Sequence, residues 1–307
     1  MQLNQVAPVE EGFFLGPCRI GPKGVIATWP RHEDRWPLPL PQIEQALAAL
    51  LHQMHKHVPV TVLVGAEQGA AARLACGPDI NLLTTAFQGD VIGTDGPWHL
   101  TDGAGTLKPL HWTNAIHGVR HAPPQRDGYI APVNLDGHLV MADGRGLIIA
   151  SEEGLLDADR NPELTMQQVE ERLALYLGAR HVVWLGGGLH RLRGGLTGAL
   201  LIGKGPDILV AHVPDDDVNR ARLDDMAATL AHDRNADKDP LNVVWIECKT
   251  GAGPNGPLDC LVGDGAVFSA APDQQVADYF GVPHVTLTVD PVLGETGGLS
   301  AWLRPLP

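Results

Sequence analysis

The side chains best suited to chemistry in this chain are its 4 cysteines and 14 histidines, and their spacing limits what they could do. Cys18, Cys76, Cys248 and Cys260 are scattered and form no CxxC pair. The chain is far too long to need disulfide staples, so reduced thiols in a cytoplasmic protein are expected. Cys248 and Cys260 could act as thiol nucleophiles, but neither carries a flanking signature, and a free cysteine is commonly a small buried hydrophobe. His52 and His55, spaced i and i+3 with His57 just beyond, could share a metal ion. No carboxylate motif of the HExxH kind supports them, and histidine at a helix C-terminus is ordinary dipole chemistry, so no metal site is expected. Leu185-Gly186-Gly187-Gly188 follows a strand-like run, yet no helix opens after it and no GxGxxG or GxxxxGK[ST] spacing occurs. A nucleotide reading fails there, and no cofactor is expected.

The elements that must position any site are short and many. Gly 36 and Pro 25 make up about a fifth of the 307 residues, which favours many turns over a helical bundle. Val58 to Gly65 reads as a buried strand with Pro59 at its start, preceded by a helix whose apolar face is Ile43, Leu47, Leu50, Leu51 and Met54. Strands are predicted at 146–150 and 181–185, with a helix between them capped by Thr165 and Gln168 and striped by Val169, Leu173, Tyr176 and Leu177. The next unit has strands at 199–202, 207–213 and 242–247 around a helix at about 217–231. The last has strands at 266–269 and 284–289 around a helix near 273–280. This strand–strand–helix–strand rhythm, repeated four or five times, fits either a doubly wound α/β sheet or modules arranged around an axis. No composition break reads as a linker, so residues 1–307 are taken as one domain; Ala231 to Pro240 is read as a polar surface loop.

The formal net charge of −14 lacks the cationic footprint of a nucleic-acid binder, and 44% hydrophobic residues exclude a disordered chain. The opening MQLNQVAPVEEGFF has neither a basic start nor an apolar core, so no signal peptide is expected, and no run of 18 apolar residues predicts a membrane span. The expected partner is a small molecule, and the general tendency to two-fold assembly makes a homodimer the first expectation for any oligomer.

Several segments together are similar to the agmatine deiminase family, related to the Porphyromonas-type peptidylarginine deiminases of the pentein superfamily. Ala27-Thr28-Trp29-Pro30 followed by Arg31 to Pro37 resembles the family's early "WP…W" segment, and Gly93-Thr94-Asp95-Gly96-Pro97 resembles "RDTGP". Trp112 to Gly118 resembles "FNAWGG", with Asn114 at its asparagine. Asn134-Leu135-Asp136-Gly137-His138 and Asp143 to Ile148 resemble "LEGG…DGEGTLL". Ser151 to Leu156, Asp159-Arg160-Asn161-Pro162 and Val183-Trp184-Leu185 resemble "TTEECLLNPNRNP…VIWL". The order and approximate spacing of these blocks match over most of the chain. The resemblance implies a pentein-type five-fold α/β propeller of ββαβ modules around a ligand channel.

It also implies chemistry that this chain is poorly equipped to perform. Family members attack the central carbon of a guanidinium with a cysteine thiolate, aided by a histidine acid/base and by carboxylates that pair the cation. Where the family has "GGGNIHC", this chain has Glu295 to Trp302 without a cysteine, and Ser300 is the nearest hydroxyl. Where it has "DETDGHVDN", Gly195 stands for the histidine, and Arg193 and Thr197 for the flanking acids. Thr94 takes the acid position of "RDTGP", displacing Asp95 by one, and Asp136 alone retains an acid in "LEGG". The residues implied for altered acid/base chemistry are therefore Asp136, His138, Asp95 and His190, with Ser300 as the weakest. His138 follows Asp136 by two, on one side of the chain if the segment is a strand. His99 also borders one of these motifs. Trp29, Trp36, Asn114, Arg193 and Glu295 are the implied substrate contacts, and Arg191 with Arg193 would suit an anionic group. Two readings stay open: a repurposed channel that binds or transforms a small amino- or guanidino-derived metabolite, and a non-catalytic pentein acting as a binding or scaffold subunit. Ordinary deimination of agmatine or peptidylarginine ranks behind both.

Overall fold

The computed structural model of the protein describes residues 6–86, 89–112, 128–190, 195–248, 256–271, 274–295 and 298–307, with backbone only at 94, 95 and 295. After β1 (Phe14–Leu15) come β2 (Val25–Thr28), α1 (Leu40–His55), β3 (Val60–Val64), α2 (Gly69–Cys76) and β4 (Asn81–Thr84). β2, β3 and β4 pair in parallel. The short α3 (Ile92–Asp95) then leads to β5 (Trp98–Thr101), which pairs antiparallel with β6 (Leu107–Trp112). β6 pairs parallel with β7 (Tyr129–Ala131), and β1 adds to the other edge of β5.

The next three units repeat one plan: an antiparallel pair, a helix, then a parallel third strand. They are β8 (Val140–Ala142), β9 (Leu147–Ser151), the short α4 (Glu152–Leu155), α5 (Met166–Leu177) and β10 (His181–Leu185); then β11 (Leu200–Ile202), β12 (Asp207–His212), α6 (Arg220–Ala231) and β13 (Asn242–Glu247); then β14 (Cys260–Val262), β15 (Val267–Ser269), α7 (Gln274–Phe280) and β16 (His284–Thr286). Two short helices, α8 (Pro291–Glu295) and α9 (Gly298–Trp302), precede β17 (Arg304–Pro305). β17 pairs antiparallel with β2, Arg304 opposite Ile26, and so completes the first sheet from the far end of the chain.

Five separate sheets among the described residues, rather than one continuous sheet, decide between the two architectures. Apolar clusters join the sheets in a closed circuit. Leu100, Leu110 and Ile148 share one cluster. Ile149, Leu209 and Val267 share the next. Phe268 packs with Val62 and Leu303, and Ile26, Ile92 and Leu306 pack with Leu107 of β6, which returns to the start. This is the pentein ring of ββαβ modules.

Local sequence accounts for most elements. α1 buries Ile43, Leu47, Leu50, Leu51 and Met54, the face its spacing predicts. α5 starts at the Thr165–Gln168 capping box, with both reciprocal bonds present, and ends at Gly178 with φ 75°. The strand expected at 284–289 stops at Thr286, because Asp290 turns the chain by accepting from the Val292 N–H at 3.0 Å, and Pro291 opens a helix there. α6 starts at Arg220 rather than 217, since the Asp217 carboxylate accepts from the Asn219 N–H at 2.8 Å and holds a turn. No described helix is long and apolar enough to cross a membrane.

Candidate functional site

The first strand of each module faces the ring axis, and a partly enclosed cavity of about 100 Å³ lies there. His99 on β5, Met141 on β8, Leu200 on β11, Cys260 on β14 and Arg304 on β17 each contribute to its wall. Cys18 from the β1–β2 segment and Ser300 from α9 complete the polar side. Three modules thus present apolar side chains or a thiol, and two neighbouring ones present a histidine and an arginine.

Backbone close approaches set the wall. A Cβ on Gly137 would collide with the Gly93 carbonyl, and one on Gly93 would meet Ala301 Cα at 2.8 Å. Only glycine lets the segments resembling "LEGG", "RDTGP" and the C-terminal motif converge here. The turn at 136–139 is held by its own hydrogen bonds: the Asp136 carboxylate accepts from the His138 N–H at 3.0 Å, and its carbonyl accepts from Leu139 N–H at 3.0 Å. Behind it, the buried Asn161 side chain accepts from Asn134 N–H at 2.9 Å and donates to the Asn134 carbonyl at 2.9 Å and the Leu155 carbonyl at 2.8 Å. The Asn161-Pro162 motif therefore anchors the loop that carries Asp136.

Electrostatics divide the cavity unevenly. The Arg304 guanidinium stacks 3.8 Å from the Trp98 ring centroid. Burial pulls its pKa down to about 10, and Asp136 partly offsets this, so it remains a cation at neutral pH. Arg304 makes no side-chain hydrogen bond or ion pair among the described residues, and its Nη1 is buried without a partner. His99 is pushed down to about 4, first by burial and then by the Arg304 and His111 charges, so its imidazole is neutral near pH 7. Its Nδ1 is also buried without a partner. The Cys18 thiol accepts from Ala142 N–H at 3.3 Å, and burial raises its pKa despite that bond and the nearby Arg304. Asp259 accepts from the N–H groups of Leu299 at 2.9 Å and Ser300 at 3.2 Å, holding the start of α9; burial raises its pKa against these bonds. No cluster of three metal-ligating side chains occurs among the described residues.

Of the residues expected from sequence, Ser300 lines the cavity and Asp136 lies buried behind Gly137. His138 belongs to the turn rather than to a strand, so the same-side argument for the pair is corrected: the Asx-type bonds of Asp136 bend the chain there. His190 is exposed, does not line the cavity, and donates its backbone N–H to Asn219 Oδ1 at 2.8 Å. Trp29 is fully buried in the core with its Nε1 on Glu44 at 2.8 Å, and Trp36 stacks on Trp302 at 5.2 Å; neither lines the cavity. The side chains of Asp95 and Glu295, and all of Asn114 and Arg193, lie outside the described residues. Sequence reasoning missed Arg304 and Cys18. Neither sits in a matched motif, and only ring closure brings them to the axis.

The comparisons with known proteins agree with this geometry. Residues 103–271 match the family model of the Porphyromonas-type peptidyl-arginine deiminases. An agmatine deiminase of Stutzerimonas stutzeri is 28% identical over 253 residues, covering 75% of this chain and 68% of that protein. A Yersinia pseudotuberculosis relative is 27% identical over 202 residues, 60% of this chain, and the match spans about half of that relative's length, 55%. Among solved structures, the agmatine deiminase of Enterococcus faecalis superposes with a TM-score of 0.83 at 18% identity, covering 99% of this chain and 98% of that one. The agmatine deiminase of C. jejuni superposes with a TM-score of 0.70 at 14% identity, covering 95% of each chain, and both likenesses speak for the fold alone. With the family model matched across more than half its length, the chain belongs to the Porphyromonas-type peptidyl-arginine deiminase family, whose curated relatives include agmatine deiminases.

Proposed function

We propose that this chain, as a single domain, uses the axial cavity to bind or transform a small metabolite of the amino- or guanidino-derived class, without thiolate attack on a guanidinium. One observation carries the reading: the charged centre of the cavity wall is the protein's own guanidinium, Arg304. At the Arg304 end an incoming guanidinium would meet like charge in a low-dielectric space, so the metabolite would present an anionic or neutral group there and keep any cationic end away from it. The thiol beside it, Cys18, is held in its neutral form by burial, whereas nucleophilic cysteines need a lowered pKa.

A binding or scaffold role without catalysis is the second reading, supported by the state of His99. An imidazole that titrates near 4 is a weak general base at neutral pH. Incubating the protein with agmatine, free arginine and a peptidyl-arginine substrate, and assaying ammonia, tests the common core of both readings. No release is expected, and sustained turnover that is lost on alkylation of Cys18 would refute the proposal.

A further inference from the structure

We infer that the axial cavity binds a small monocarboxylate, its oxyanion on Arg304 and its short hydrocarbon body against the apolar side of the ring. The inference rests on the channel reading above and adds the class of ligand. Three observations converge on it.

The first is the unpaired cation. Buried charges in proteins are paired or coordinated, because desolvating an ion without compensation is expensive. Arg304 has stacking from Trp98 but no hydrogen-bonded acceptor among the described residues, and it borders open space. A planar guanidinium fork matches a carboxylate in a bidentate geometry. The second is the neighbouring His99, whose buried Nδ1 lacks a partner and whose ring is neutral near pH 7. A neutral imidazole can donate one hydrogen bond to an oxyanion without adding the second positive charge that would favour a dianion. The third is the opposite wall. Met141, Leu200, Leu201, Leu258 and Leu261 face the same space from three modules, so a ligand reaching across from Arg304 meets hydrocarbon. The size of about 100 Å³ suits a ligand of a few heavy atoms.

Titration calorimetry of the full chain at pH 7.5 with acetate, propionate, butyrate and inorganic phosphate tests this. Binding is expected to tighten by about fourfold for each methylene added, since each buried CH₂ contributes about 0.8 kcal/mol. Phosphate should bind more weakly than butyrate. Arg304→Met should weaken butyrate by about tenfold or more, as expected for losing a charged hydrogen-bonding pair, with Arg304→Lys in between. Far-ultraviolet circular dichroism checks that the variants fold, and the chain-length series on the unaltered protein stands without them. Phosphate binding as tightly as butyrate, or no dependence on chain length, overturns the inference. So does agmatine binding in the cavity while butyrate does not, an outcome that leaves the channel reading intact. Ammonia release from agmatine would instead sink that underlying reading.

Discussion

Asp90 and Arg304 both carry charge inside the protein, and their surroundings are opposites. Asp90 is completely buried, yet its carboxylate accepts from the backbone N–H groups of Arg31 at 2.5 Å and His32 at 3.1 Å, meets His32 Nδ1 at 2.6 Å, and pairs with Arg35 at 3.4 Å. It staples the segment after Trp29-Pro30 to the start of α3. Arg304 has ring stacking and distant Coulombic help from Asp136, and no hydrogen-bonded partner among the described residues. A charge whose bonds are complete belongs to the architecture. A charge whose bonds are missing beside open space is poised for something that arrives.

That contrast can be broken by substitution. The largest effect is expected for Asp90→Ala, which strands two N–H groups and a cation; a loss of about 4 kcal/mol in urea unfolding follows from the cost of breaking a buried pair. A loss below the scatter of surface substitutions would mean that the Asp90 network is dispensable. Next comes His99, a neutral group next to the unpaired cation. Its folded pKa near 4 lies below the unfolded value of 6.5, so between these pH values the unfolded chain holds a proton that the folded chain does not. Stability therefore rises with pH across this window and falls on acidification, by at most about 3 kcal/mol at its acid end. His99→Gln should flatten that part of the profile, and an unchanged acid slope would show that His99 is not its source.

Asp259 is an intermediate case, a carboxylate held chiefly by two backbone N–H groups. Asp259→Ala should lower stability by about 1 kcal/mol through loss of a helix cap, whereas Asp259→Asn, which keeps one of the two accepting oxygens and sets its amide NH₂ against the other N–H, should lose part of that. Equal losses in both would mean that the charge itself is required. The smallest effect, and the one of opposite sign, belongs to Arg304→Met. Removing an unpaired, half-buried cation should leave thermal stability unchanged or raise it by about 1 kcal/mol in ligand-free protein. A marked drop would show that Arg304 is as architectural as Asp90.

Much of this molecule was legible in the sequence, and the limit has a physical cause. The α1 face and the Thr165 cap were readable because both depend on residues three or four apart. The matched Asn161-Pro162 segment was readable as a motif, although its task, bonding the backbone at 134, becomes evident only in three dimensions. The ring was legible as repetition, but the competing sheet architecture was excluded only by the five separate sheets among the described residues. At the site, nearness to a motif proved a poor guide. His190 borders one and is exposed, and Trp29 lies within one and fills the core. Arg304 and Cys18 become neighbours because β17 pairs with β2, a contact between opposite ends of the chain that no local pattern announces.

That closing strand ties the cavity to the topology of the whole chain. Pairing Arg304 with Ile26 spans nearly the full sequence, the kind of contact whose loop-closure entropy is greatest. The cavity therefore acquires its positive charge only when the circle is shut. A ligand that binds Arg304 binds the closed ring and not an opened one, so it acts as a clasp, shifting the equilibrium away from fraying of β17 in proportion to its saturation.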